Sequence, residues 1–279
     1  MVATSSPPSV LLRHTKPFAG NPAAVCVLDG PDWPDPAWMQ RVAAELNLSE
    51  TAFVRPLPTG GEADWGLRWF TPATEVNLCG HATLATVHAL RSDELLGEGW
   101  VRLATRSGVL LARPEPDGSI TLDFPANPHH PVPTPPGLAE ALGCPVSETF
   151  DTGALADLMA LLPDEKSVRT LAPNLAAVAE LPTRGVIVTA PADDPSAGYQ
   201  FVSRFFGPAS GIPEDPVTGS AHTALAPYWG KLLGTTRLTG YQASARGGLV
   251  VCEVTGERVL LSGSAVTVLE GSLSPSAAS

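Results

Sequence analysis

The chain has 279 residues, a formal net charge of −11, and 44% hydrophobic against 16% charged residues. That length suits two domains of ordinary size, each with its own core. Acidic residues are spread evenly, 14 against 9 Lys/Arg through Ala126 and 14 against 8 after it. With no basic patch in the sequence, this balance argues against nucleic acid or an anionic membrane surface as a partner. A small anionic substrate stays open, because a helix end can override a distant negative field.

Residues 1–8 read as a loose tail, and the opening MVATSSPPSVLL lacks the charged and apolar regions of a signal peptide. No apolar run reaches membrane-spanning length. The four cysteines, Cys26, Cys79, Cys144 and Cys252, form no CxxC or ligand-spaced set. A reduced, cytoplasmic protein is the expectation. Val10 to Leu12 is short and β-like, and the turn from Lys16 to Pro22 leads into a strand at Ala23 to Leu28. Asp35-Pro36 starts a helix, with Asp as cap and Pro at the first helical position. Trp38, Val42 and Leu46 give this helix one apolar stripe, and it stops at Asn47. Ser49-Glu50-Thr51 then leads into a strand at Ala52 to Arg55, and Trp65 to Thr71 alternates as another.

Phe70 to Leu90, FTPATEVNLCGHATLATVHAL, is the organising stretch. Gly80 permits a tight turn, and His81, Ala82 and Thr83 open a helix whose Leu84, Ala85, Val87 and Leu90 leave no solvated face. It should lie inside a core. Strands follow at Trp100 to Thr105, Val109 to Arg113 and Ile120 to Phe124, which suggests a curved sheet wrapped around the helix. Pro125 to Pro136 reads as a proline linker. Beyond it come a short helix at Leu138 to Leu142 and strands at Thr149 to Thr152, Val186 to Ala190 and Gln200 to Phe206. Glu214 to Trp229 then repeats the central plan: an acidic, Pro-broken turn, then Thr218-Gly219-Ser220, then a small-residue helix to about Leu233. Strands at Leu249 to Val254, Arg258 to Ser262 and Ala265 to Leu269 complete the chain, the last free to return to either half. Cys79-Gly80-His81 thus aligns with Thr218-Gly219-Ser220. Two such helix starts in one chain predict a single anion-binding site between two similar halves. The domains expected are 9–126 and 127–264.

Several side chains near these turns can do chemistry, and each has a plainer role. Glu50 can project a carboxylate whose pKa partial burial would raise into the range of a base, or it is a capping glutamate. Asp215, held between Pro213 and Pro216, is a second acid or a helix cap. His81 can shuttle a proton, with the positive helix end favouring its neutral form, or it is a packed histidine. Ser220 donates a hydrogen bond or caps. Cys79, beside a helix N-terminus, is a low-pKa base or a small buried filler. Its aligned position holds Thr218, so a symmetric two-thiol racemase is out. His88 reads as packing. His129-His130 lacks further ligand-spaced partners, so no metal site is expected there, and no motif implies a cofactor.

Taken together, GNPAAVCVL, LNLSETAFV, LRWFTPATEVNLCGHATLA, SRFFGPASGIPEDPVTGSAH and ARGGLV resemble the phenazine-biosynthesis isomerase-like (PhzF) family. That family is related to diaminopimelate epimerase and proline racemase, and the ordered matches run from about residue 10 to 270. The resemblance implies an α/β (α+β) fold of two pseudo-symmetric domains, each a curved, mostly antiparallel sheet around a central helix. It also implies a homodimer and cofactor-free proton transfer at carbon of a small anionic metabolite. Glu50 matches the catalytic glutamate, His81 the histidine after glycine, and Asp215 and Ser220 the acid and serine of EDPVTGS. Cys79, Gly80, Thr218 and Gly219 fall in the substrate-binding turns. Where the family carries a hydrophobic-Asp-x-Phe strand, this chain has Leu12-Arg13-His14. A Cys paired with a Thr resembles the hydroxyproline dehydratase variant of the superfamily. The expected activity is an isomerase with Glu50 as base. The rivals are an epimerase or dehydratase using Cys79 and a non-catalytic dimeric binding protein.

Overall fold

The computed structural model describes residues 11–12 and 17–274. The tail expected at 1–8, Val10, Lys16 and the Arg13-His14 pair lie outside the described residues. The chain divides into two compact units, one running to Asp123 and resuming at Ser262, the other spanning Phe124–Leu261.

The first unit begins with β1 (Leu11–Leu12), β2 (Ala23–Val27), α1 (Pro36–Leu46), β3 (Glu50–Pro56), β4 (Trp65–Phe70) and β5 (Glu75–Val76). It continues through α2 (Gly80–Ser92), β6 (Val101–Thr105), β7 (Gly108–Pro114) and β8 (Ile120–Pro125), where the chain leaves it. Its sheet runs β2-β3-β4-β6-β7-β8, with β5 also on β4. β2/β3 and β4/β6 are parallel, and the remaining pairs are antiparallel. α1 forms where expected: Asp35 accepts from the Ala37 N–H, Pro36 opens the helix, and Asn47 closes it in the left-handed region. Its Trp38, Met39, Val42 and Ala43 pack against Cys26, Leu28, Phe53 and Phe70. Each large apolar side chain so buried contributes about 1.5–3 kcal/mol. α2 is buried along most of its length, from His81 through Val87 and again at Leu90, and it packs against β1, β2, β3 and β7. β2 therefore has no solvated residue at all.

The second unit holds β9 (His130–Val132), α3 (Leu138–Leu142), β10 (Glu148–Asp151), β11 (Leu158–Leu161), α4 (Glu165–Thr170) and α5 (Leu175–Ala179). Then come β12 (Val186–Pro191), β13 (Phe201–Gly207), β14 (Ile212–Asp215), α6 (Gly219–Leu233), β15 (Arg237–Gln242), β16 (Gly248–Thr255) and β17 (Arg258–Gly263). The order β9-β10-β11-β12-β13-β15-β16-β17, with β14 on β13, contains two parallel pairs, β11/β12 and β13/β15. α6 packs on β15 and β16. Leu138, Leu142, Val168 and Val178 of α3, α4 and α5 join the core with Val186, Val188, Val202 and Phe206.

The two units share one plan. Parallel β2/β3, antiparallel β4, parallel β6 and antiparallel β7 recur as β11/β12, β13, β15 and β16. A short strand precedes the central helix in each. The fold is α/β, a mostly antiparallel sheet about a central helix, given twice.

Three readings need correction. The proline stretch 125–136 is not only a linker, because His130–Val132 forms β9 and pairs with β10; β9 is the edge strand of its sheet, where Pro131 is tolerated. Residues 153–185, which carry no element in the sequence reading, hold β11, α4 and α5, and β15 was also unassigned. The last strand is only β18 (Ala265–Val266), and it pairs with β1 in the first unit.

Candidate active site

Glu50 is the first residue of β3, and its parallel partner across the ladder is Ala23. That register sets Asn21, two residues before β2, near the strand's mouth. α2 begins opposite, with Cys79 as its extended N-cap residue and no side chain capping the first turn. Thr83 Oγ1 donates to the Cys79 carbonyl at 2.6 Å, holding that turn closed. His81 Nε2 then lies 2.8 Å from Glu50 Oε2, with the side chains only 7% and 11% exposed. The contact is an ion pair set off the line of an ideal hydrogen bond, since Oε2 makes no aligned bond. His81 Nδ1 lies 3.1 Å from the Asn21 amide nitrogen and 3.5 Å from Cys79 Sγ. An amide can present either its donor or its acceptor, so Asn21 can follow this nitrogen through both protonation states.

The electrostatics of this corner overturn three expectations. Burial alone would raise the Glu50 pKa, but His81 and the Cys79 thiol hold it below its ordinary value. Burial likewise opposes charge on His81, yet the Cys79 sulfur and the Glu50 carboxylate carry its pKa well above the usual 6.5. The helix dipole, which favours neutral imidazole, is outweighed by a full negative charge in contact. Burial, and then the Glu50 charge, push the Cys79 thiol up to about 11, so the helix start does not make it a low-pKa base. The resting corner is a carboxylate and an imidazolium beside a neutral thiol.

The aligned turn in the second unit is built differently. Thr218 Oγ1 donates to Asp215 Oδ2 at 2.5 Å, while the Thr218 N–H donates to Gln242 Oε1 at 2.8 Å. Gln242 Nε2 donates back to the Asp215 carbonyl at 2.7 Å. This fully buried glutamine, at the end of β15, pins the turn that opens α6. Ser220 lies beside Arg184, whose Nη2 is 3.5 Å from the hydroxyl. Arg184 is held by Asp157 at 2.5 Å and by the Leu155 carbonyl at 2.9 Å. Burial lifts the Asp157 carboxyl to about 6 against the pull of Arg184. A guanidinium and a hydroxyl at a helix start suit an anion.

Asn21, Asp157, Arg184 and Gln242 were missed by sequence reasoning. Each acts from a strand end or turn distant in sequence, and only GNP around Asn21 carried a local signal. Elsewhere in the first unit, Trp33, Arg55, Arg68, Arg106 and Glu75 help line a cavity of about 420 Å³. It is a concentration of positive charge that the even charge count hides, partly neutralised because Glu75 binds both Arg68 and Arg106. His129 packs edge-on against Phe150 and Tyr228, and His88 meets Thr267 at 3.0 Å. The ligand-type atoms of Glu50, Cys79 and His81, by contrast, all lie within 4.8 Å of one another.

The profile of phenazine biosynthesis-like proteins (PhzC-PhzF) matches residues 14–271. The chain belongs to the PhzF family. It is 51% identical over 257 residues to an uncharacterized isomerase of Pseudomonas aeruginosa, covering 92% of this chain and 94% of that one. The crystal structure of a PhzF-family protein from Enterococcus faecalis superposes with a TM-score of 0.88 at 39% identity, covering 98% of this chain and all of that one. A hydroxyproline epimerase from Agrobacterium vitis, solved with bound trans-4-hydroxy-L-proline, shares the fold alone: TM-score 0.59, 13% identity, 98% and 94% covered. Among the described residues of this PhzF protein, no helix is long and apolar enough to cross a membrane.

Proposed function

We propose that this PhzF-family chain is a cofactor-independent isomerase that moves a proton at a carbon of a small carboxylate. The observation that carries this reading is the Glu50–His81 contact of 2.8 Å at a buried helix start. Glu50 rests unprotonated and can accept a proton, while His81 rests protonated and can return one, so acid and base stand ready together. The α2 start, with Gly80 as first helical residue, offers N–H groups to developing negative charge. In the second unit Asp215 is assigned as a further catalytic acid and Thr218, Gly219 and Ser220 to substrate binding, with Gly219 as the first residue of α6. The high thiol pKa of Cys79 weighs against the epimerase or dehydratase reading, which needs a thiolate. Relatives named as isomerases support the reaction type. The working assembly is proposed to be a homodimer, which sedimentation of the intact chain tests.

The test is solvent-deuterium incorporation across a panel of β,γ-unsaturated and cyclic carboxylates. Wild type should exchange one carbon-bound hydrogen, and Glu50→Gln should not. Equal exchange by both proteins would remove Glu50 as the base.

A further inference from the structure

We propose that the cavity on the first unit's sheet, walled by Trp33, Arg55, Arg68, Glu75 and Arg106, binds the phosphate group of a small phosphomonoester. The site is separate from the proton-handling corner. Arg55 lies five residues along β3 from Glu50, about 16 Å of strand. That odd separation also turns the two side chains to opposite faces of the strand. Glu50 faces His81, whereas Arg55 shares its face with Phe53, which packs on Trp38 of α1.

The floor of the cavity is shaped to hold guanidinium groups. A Cβ on Gly66 would meet the Trp33 ring at 2.9 Å and Arg55 Cγ at 3.5 Å, so glycine lets the indole lie against β4. The Arg55 and Arg68 guanidinium carbons stand 5.1 and 5.5 Å from the centre of that one ring. Arg68 is tied to Glu75 by two bonds of 2.7 and 2.8 Å, and Arg106 reaches the same carboxylate at 2.8 Å. Three guanidinium groups against one carboxylate leave a formal charge of +2 in a chain whose net charge is −11. Arg55 is the group left over, since it pairs with no carboxylate among the described residues. Its Nη1 donates to the Pro31 and Pro56 carbonyls, and its buried Nε has no partner. A phosphomonoester supplies what is missing. It carries close to two negative charges at neutral pH and three acceptor oxygens that match guanidinium forks, whereas a carboxylate brings one charge. The volume of about 420 Å³ is that of a small-metabolite pocket and leaves room for an organic group beside the phosphate.

The test is isothermal titration calorimetry of the full-length protein with phenyl phosphate and, separately, inorganic phosphate. One equivalent of phenyl phosphate should bind, about 10-fold or more tighter than inorganic phosphate, because its ring buries apolar surface in the cavity. Arg55→Lys keeps the charge but loses the fork, and Arg106→Gln alters a largely exposed side chain that the fold does not need. Each should weaken binding about 10- to 100-fold. Ser220→Ala, at the anion corner of the second unit, should leave the affinity unchanged. No binding, binding untouched by either arginine substitution, equal affinity for both phosphates, or binding lost in Ser220→Ala would overturn the site. The readout needs no turnover, so it is independent of the role of Glu50.

Discussion

The start of α2 and the start of α6 are the same place in two copies of one topology, and their chemistry is opposite. At α2 a buried carboxylate from β3 meets an imidazole. At α6 a guanidinium from just before β12 meets a hydroxyl. Behind the first pair stands the amide Asn21, just before β2, and behind the second the acid Asp157, just before β11. Repeated parallel and antiparallel registers bring corresponding regions together in each unit. His81 and Ser220 are both second residues of their helices, whereas Arg184 lies two residues before the position that matches Glu50 and Asp157 one residue after the position that matches Asn21. The side chains then decide whether the corner handles a proton or an anion. The scaffold supplies geometry, and charge pairing supplies function.

The comparison breaks most visibly if the first corner is not the proton-handling one. Glu50→Gln should lower deuterium exchange by about 10²–10⁴-fold, the usual contribution of a positioned acid–base group. His81→Gln should cost on the order of 10²-fold and let the Glu50 pKa rise with burial, seen as a shift of the acidic limb of the pH–rate profile.

That pairing also shows why the site was only partly legible in the sequence. The burial of α2 could be read because Leu84, Ala85, Val87 and Leu90 surround the helix, and α1 because Asp35-Pro36 and Asn47 mark its ends. The aligned glycine turns revealed the duplication. The charge states could not be read, because Glu50 and His81 are 31 positions apart and their pKa values depend on a contact that no local pattern encodes. The same holds for Gln242, which looks like an ordinary strand residue until β15 brings it under Thr218. α4 and α5 span only six and five residues, too few turns for a helical period to emerge. β15 was hidden by Gly240, an apparent strand breaker. A Cβ there would sit 2.4 Å from the Phe201 ring, so the strand needs glycine for packing.

Smaller effects sharpen the second corner. Gln242→Ala would leave the buried Thr218 N–H without its acceptor and should cost about 1–3 kcal/mol in denaturant unfolding. Asp157 has a folded pKa near 6, above its ordinary 3.8, so its ionisation weakens the fold as pH rises through that interval. Asp157→Asn should therefore flatten the stability curve there, removing a slope worth on the order of 3 kcal/mol. Asp35→Ala, which removes only the α1 cap, should cost about 1 kcal/mol in denaturant unfolding at neutral pH.

The most direct test of the account is a pH titration of the His81 ring followed by ¹⁵N NMR. Its folded pKa is raised, so the stability it adds is full below the unfolded value near 6.5 and is lost only as pH climbs through the folded value. The prediction is a doubly protonated ring at neutral pH that titrates well above 6.5, with the shift reduced in Glu50→Gln. A neutral ring titrating at or below its ordinary pKa, unmoved by that substitution, would contradict the account.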